Sequence, residues 1–281
     1  MQIRSRFSII LSIPGFYLLP LLATGPVCAR AEGTRPAPPE VRAVSDSQSA
    51  EREMARLSDK LKSSDEEERR DAVRGLAALE TQAANALVAA MVNDPSERVR
   101  ASAIAALGAA GDAAYVPAIA SRLAQDKSIF VRKTAAYALG RLRAPSGTGP
   151  LVAALKDKSD EVRGATAVAL GEYSDGAAIL PLISALSDKN DFVRGRSARA
   201  LGSNGPAAAR AVPSLIQIIE TDGEHYVRQE AVVALGMIGD RSALPALYRA
   251  SRDPSPYLSS AALSAIRSIE KNKEAIPQRT V

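Results

Sequence analysis

Residues 126–140 read DKSIFVRKTAAYALG, residues 157–171 read DKSDEVRGATAVALG, and residues 188–202 read DKNDFVRGRSARALG. These three stretches are one sentence written three times. Its core, Val-Arg, recurs at Val99-Arg100, Val131-Arg132, Val162-Arg163, Val193-Arg194 and Val227-Arg228, and Glu68-Arg69 and Leu258-Ser259 hold the same place at the two ends. The second positions are spaced 31, 32, 31, 31, 34 and 31 residues apart. Self-similarity at such a period marks a stack of supersecondary units in which each unit buries its apolar face against its neighbours.

Each unit reads as two helices. Four residues before the arginine stand Asp65, Ser96, Ser128, Ser159, Asn190, Glu224 and Ser255. All but Glu224 are good N-cap residues, whose side-chain oxygen can accept from a free amide of the first turn. Apolar residues follow at helical spacing, as in Val131, Ala135, Ala138, Leu139 and Leu142. Seven residues after the arginine comes Leu (Ile266 in the last unit). In five units Gly follows it, at 108, 140, 171, 202 and 236, and it either loosens the helix end or permits a close contact. The first helix of most units opens near a proline (Pro117, Pro150, Pro181, Pro213, Pro245), a residue suited to the first helical turn because the missing N–H has no partner there. The fold expected is an all-α, right-handed solenoid of about seven hairpins over residues 47–271, followed by a polar tail, 272–281. A composition of 46% hydrophobic but only 4% aromatic residues, rich in Ala and without Trp, suits close-packed helices better than a sandwich or barrel.

The pattern of an Asp six residues before the Arg, a Val before the Arg and Ala-Leu-Gly after it resembles HEAT repeats, most of all the short variety named after the phycobilin lyases. The resemblance covers about 220 residues. In HEAT repeats the Asp and the Arg form a ladder that ties neighbouring units together. That implies a structural role for Asp94/Arg100, Asp126/Arg132, Asp157/Arg163, Asp188/Arg194 and Asp222/Arg228, with the ladder ending at the last unit, where Ser259 lacks the guanidinium. Fold likeness does not fix function.

The N-terminus has the pattern of a secretory signal peptide: Arg4 and Arg6, then the apolar run 7–22, then Ala29-Arg30-Ala31 as a small-residue cleavage site. The expectation is a signal over 1–31 removed near Ala31 and an exported chain, periplasmic or secreted. The apolar run is short for a membrane span. An uncleaved anchor, or a lipoprotein attached at Cys28, is the alternative, although Gly25-Pro26-Val27 lacks the Leu expected before a lipidated Cys. Residues 32–46, with Pro36, Pro38 and Pro39, read as an extended linker. The leader holds three of the 36 basic residues and no acid. Cleavage leaves 33 bases against 31 acids, and a charge of +2 gives no electrostatic case for a nucleic-acid partner. Cys28, the only cysteine, leaves with the leader.

A search for chemistry finds little. His225 is the only histidine, it sits in a first turn beside Glu224, and no G-x-S-x-G elbow accompanies it. One His and no remaining Cys argue against a zinc site. Deoxyhypusine hydroxylases resemble this chain in their repeats, but that family binds iron through His-Glu pairs, and here there is no His-Glu dipeptide. Phycobilin lyases share the repeat yet meet targets an exported chain would not, and HEAT-like DNA glycosylases use a basic, aromatic groove. No catalytic residue, cofactor or metal is expected. An enzyme or enzyme subunit of the lyase-like group remains the alternative to a scaffold.

The partner expected is a protein or peptide. Positions two and five beyond the arginine are expected to face outward on the concave side, and they vary between units: Ser102/Ala105, Thr134/Tyr137, Ala165/Val168, Arg196/Arg199, Glu230/Val233 and Ala261/Ser264. Tyr137, Val168, Arg196, Arg199 and Val233 form the expected contact patch, since aromatic and Arg side chains anchor interfaces. The aromatic series two residues before the arginine (Phe130, Phe192, Tyr226, Tyr257) keeps repeat phase and reads as packing between repeats.

Overall fold

The computed structural model describes residues 39–79, 83–173 and 176–274, and the side chains of 48–271 within them. The leader 1–31, with Cys28, lies outside the described residues, as does the tail beyond Glu274. Fourteen α-helices and no strand occur among the described residues, paired as seven hairpins. The pairs are α1 (Pro39–Lys60) with α2 (Glu66–Ala77), α3 (Ala84–Asn93) with α4 (Glu97–Ala110), and α5 (Val116–Gln125) with α6 (Ile129–Leu142). They continue with α7 (Thr148–Ala154) and α8 (Asp160–Leu170), α9 (Ile179–Ala185) and α10 (Asp191–Ser203), α11 (Val212–Thr221) and α12 (His225–Ile238), and α13 (Leu244–Ala250) and α14 (Pro256–Glu274). Helix α1 begins at Pro39, so the part of the expected linker from 39 to 46 is helical rather than extended.

The second helices, α2 to α14, stack side by side in one continuous row, and each from α4 onward also packs on the first helix of its own hairpin. The glycine after the Leu explains the tightness of the row. A Cβ on Gly140 would lie 2.9 Å from both Cα and Cβ of Ala169, and one on Gly108 would lie 2.7 Å from Cβ of Ala138. Gly171, Gly202 and Gly236 meet Ala200, Ala234 and Ala265 in the same way. Of the two roles open to this glycine, close contact is the one it performs; the helix stops themselves fall to Gly111 and Gly239, at φ 77° and 78°. The Leu before it is fully buried in every unit up to Leu235.

Most of the expected caps form. Asp65, Ser96, Ser128 and Asn190 accept from a first-turn amide; Ser159 and Glu224 make no side-chain cap bond. The loop between the two helices is instead closed by the repeat aspartate. Asp94, Asp126, Asp157, Asp188 and Asp222 each accept the backbone N–H two residues on, at 2.8–3.0 Å.

The same carboxylates hold the ladder, and here the expected pairing needs correction. Each aspartate pairs with the arginine of the preceding unit: Arg69–Asp94, Arg100–Asp126, Arg132–Asp157, Arg163–Asp188 and Arg194–Asp222. Every rung is a two-point fork. In Arg132, Nε and Nη2 donate to the two oxygens of Asp157 at 2.8 and 2.9 Å, while Nη1 donates to the Asp126 carbonyl at 3.0 Å. Asp126 and Arg132 of one unit therefore meet through a backbone carbonyl, not through the carboxylate. The ladder also ends a rung early. Arg228 forms no ion pair with Asp253 and instead donates to Nδ1 of His225 at 2.6 Å.

Paired this way, the Asp126, Asp157, Asp188 and Asp222 carboxylates are held below their usual range. For Asp126, Asp157 and Asp188, burial is the largest influence and pushes upward, but the Arg hydrogen bond, the backbone N–H and the nearby positive charge together outweigh it. For Asp222 the Arg194 hydrogen bond is itself the largest influence. A depressed folded-state pKa contributes stability that is present above the ordinary carboxylate value and lost as pH falls through the folded one. Urea midpoints should therefore hold from pH 7 to about 5 and drop steeply below about pH 4. Asp157→Asn, which leaves Arg132 buried without its counter-charge, should cost about 3–5 kcal/mol at pH 7 and flatten that acid dependence. Gly140→Val should cost about 1–3 kcal/mol by overpacking against Ala169. Gly149→Ala, in open space inside α7, should raise stability by roughly 0.4–1 kcal/mol. Thermal melts compare the two glycine variants.

Candidate functional site

Counting 100° per residue around each second helix, with the ladder arginine at zero, assigns each position a direction. The residue four later points to about 40° and is buried in the units that have a successor. The Gly eight later points to about 80°, toward the next unit, and the Ala six later to about 240°, toward the previous one. The sector near 140–200° carries neither the ladder nor the buried leucine. It holds the positions two before, two after, five after and nine after the arginine.

Six of the eleven exposed large apolar residues lie in that sector; Val92, Ile129, Leu180, Tyr248 and Leu263 lie elsewhere. Phe130, Tyr137, Phe192, Tyr226, Met237 and Tyr257 are all large, all exposed, and all lie on this one stripe. Scattered single apolar residues are ordinary on a protein surface; six in repeat register stand apart from that scatter.

The expected patch residues share the stripe. Tyr137 and Arg199 are exposed, and Val168, Arg196 and Val233 are half-buried. One expected outward position is corrected: Ala165 is fully buried. The expected aromatic-and-arginine character also has more structure than its spacing suggested. Arg196 stacks on Phe192 of its own helix, 4.8 Å from the ring centroid, as a cation–π pair. Arg199 is partly neutralised by Glu230 of the next unit at 3.5 Å.

The aromatic row does pack between repeats, as its phase predicts. A Cβ on Gly164 would lie 2.5 Å from the Phe192 ring, and one on Gly195 would lie 2.4 Å from the Tyr226 ring. Each ring leans over a glycine of the preceding unit yet stays about 40% exposed. The row is thus packing and surface at once, a double role that phase alone cannot show. Burial is the main reason the Tyr226 hydroxyl is pushed above its ordinary pKa, with Glu230 adding to it and Arg196 and Arg199 opposing.

At the N-terminal end the stripe opens into a cleft of about 670 Å³ that crosses α2, α4 and α6. Ala101 and Ala105 form its floor, Phe130 and Thr134 one wall, and Arg70 and Arg98 the opposite side.

His225 is exposed and bonded to Arg228, with no acid or nucleophile joined to it. No group of three or more His, Cys, Asp or Glu side chains placed to hold a metal occurs among the described residues. No described helix is long and apolar enough to cross a membrane.

Comparison with known proteins agrees with the fold. The family model described as HEAT repeats matches residues 54–140, 84–157, 148–222 and 212–278. No curated protein matches by sequence. Among solved structures, the Escherichia coli protein YibA is similar at 23% identity and a TM-score of 0.57, over 83% of this chain and 85% of its own. A designed armadillo repeat protein in complex with the peptide (KR)4 is similar at 20% identity and a TM-score of 0.50, over 77% of this chain and 99% of its own. The complex of CpcE and CpcF of phycocyanin lyase from Nostoc matches at 21% identity and a TM-score of 0.47, over 89% and 93%.

Because the stripe carries no rung and no buried leucine, its polar members should be replaceable. The double variant Arg196→Ala/Arg199→Ala should unfold within about 0.5–1 kcal/mol of the parent in urea, since an exposed pair such as Arg199–Glu230 contributes little. A larger loss would mean that the stripe bears the fold.

Proposed function

The chain belongs to the HEAT-repeat family, and we propose that it is a non-catalytic scaffold that holds a protein or peptide on the outer stripe of its second helices. The observation that carries this reading is the row of six exposed large apolar side chains in repeat register. Interfaces concentrate their energy in such aromatic and arginine anchors. A stack of near-identical units offers the same contact again and again, so a long, extended partner gains from each unit it crosses. The designed repeat protein of similar fold carries a peptide, which supports the capacity of such a stack for this task. The signal-like pattern of residues 1–31 supports a scaffold that works outside the cytoplasm. The partner is therefore an exported protein.

The test is a capture from the exported fraction with the parent protein and with the triple variant Tyr137→Ala, Arg196→Ala, Arg199→Ala, both confirmed helical by circular dichroism. A specific protein retained by the parent should be lost, or at least tenfold reduced, on the variant. Equal retention would remove the stripe from the reading. N-terminal sequencing of the exported chain should begin at Glu32; an intact Met1 start in the cytoplasm would remove the export.

A further inference from the structure

The charges on the stripe do not balance, and the imbalance has a direction. Five carboxylates lie in the sector: Glu67, Asp71, Glu161, Glu172 and Glu230. Each already has a cation, respectively Arg70, Arg74, Lys133, Arg143 and Arg199. The cations are not matched in return. Among the described residues, Arg98, Arg141 and Arg196 have no carboxylate partner. Arg98 stands in the aromatic row itself and borders the cleft. Arg196 is held flat on Phe192, with its Nε buried and without a hydrogen-bond partner. The surplus on this face is guanidinium, set among aromatic rings, although the chain as a whole is close to neutral once the leader is set aside.

We propose that the stripe receives an extended acidic segment of a partner protein, with an apolar side chain seated in the cleft and carboxylates on Arg98 and Arg196. This deepens the scaffold reading and rests on it. The cleft suits one large apolar side chain. Its alanine floor and Phe130 wall are apolar, and Arg98 at its edge is placed to take the carboxylate of an adjacent residue, while Glu97, which also lines the cleft, accepts from the Ser128 hydroxyl. Guanidinium binds carboxylate as a two-point fork, which gives such a contact direction as well as charge. The span sets the length. Arg98 lies on α4 and Arg196 on α10, three helix steps away. At about 8–10 Å per step that is roughly 24–30 Å. An extended chain rising about 3.3 Å per residue covers it in about seven to nine residues. The segment crosses Phe130 and Phe192 on the way, and Glu161, already bound to Lys133, offers it no opposing free charge.

The experiment is a selection of random twelve-residue peptides displayed on phage against the full chain, followed by affinity measurement of the enriched peptides. The measurements use the parent, Arg98→Glu, Arg196→Glu and, as a control away from the stripe, Arg210→Glu. The expected result is enrichment of Asp and Glu around an aromatic residue or Leu. Binding should weaken at least tenfold in Arg98→Glu and in Arg196→Glu, be unchanged in Arg210→Glu, and fall as salt rises. Enrichment of basic or uncharged peptides that still lose binding in the two stripe variants would overturn the acidic assignment and leave the scaffold reading standing. Acidic peptides indifferent to both variants would overturn it as well. Equal binding of a twelve-nucleotide thymidine oligomer would reassign the surplus to polyanions in general. No enrichment of any peptide on the parent would sink the scaffold reading and this inference together.

Discussion

The buried fork between one unit's arginine and the next unit's aspartate fixes the distance from which the rest of the stack follows. In the rung Arg100–Asp126 both side chains are more than nine-tenths hidden from solvent. Neither could remain charged there alone, since an unpaired buried ion costs several kcal/mol. The arginine cannot shed its proton, so it must meet the carboxylate. The aspartate is already fixed by the N–H of its own loop. Two loops from successive hairpins are thereby locked at one separation, five times in succession. Stability in such an array is a sum of nearest-neighbour terms, and these rungs are the polar part of those terms.

That fixed separation is short, and it dictates what the helices can carry. Second helices brought so close leave no room for a side chain at the crossing, hence Gly in one helix and Ala in the other. The demand is strictest where a Cβ would strike backbone, as Gly140 would strike Ala169. The insertion between units five and six shows the order of priority. The spacing there is 34 residues instead of 31, yet Arg194 and Asp222 still make the same fork. The extra residues enter the long turn Gly205–Ala211, where other units have turns of three residues. The chain lengthens in a turn that still buries Ala208 and Ala211, and it keeps its register where it is paired.

The repeat architecture was legible in the sequence because each of its requirements is a one-residue rule repeated at constant phase. The Val-Arg pair, the Leu, the Gly and the Asp each announce themselves this way. What was illegible is what depends on the neighbour. A spacing of six between Asp94 and Arg100 says that both belong to one rule, but not that the carboxylate turns to the preceding unit. Ala165 resembles Ser102 and Thr134 in position, yet it is buried in its local setting. Arg228 has the ladder's residue type and turns to His225. The aromatic row was read as packing because it keeps phase, and its exposed half became visible only in three dimensions. The stripe was legible in outline for a different reason: it is the sector where the repeated rule goes silent.

The C-terminal end shows how the same rule stops. In α14 the position of the crossing glycine holds Arg267, which is exposed. A guanidinium arm there would keep a further second helix from approaching at the separation used inside the row. Four residues after the arginine position, Ile104, Ala136, Ala167, Ala198 and Val232 are buried, but Leu263 is 47% exposed, with no further second helix beside it among the described residues. Ser259 removes the ladder arginine, and Ser260 and Ser264 add polar surface beside it. Helix α14 thus lacks three things that join the other second helices to their successors: the guanidinium, the glycine and an uncluttered face. Those withdrawals leave α14 with the outer stripe's Tyr257 as its most exposed large apolar residue. The end of the stack has given up the features that join repeats while keeping the one that faces outward, as expected if the stripe answers to something other than the fold.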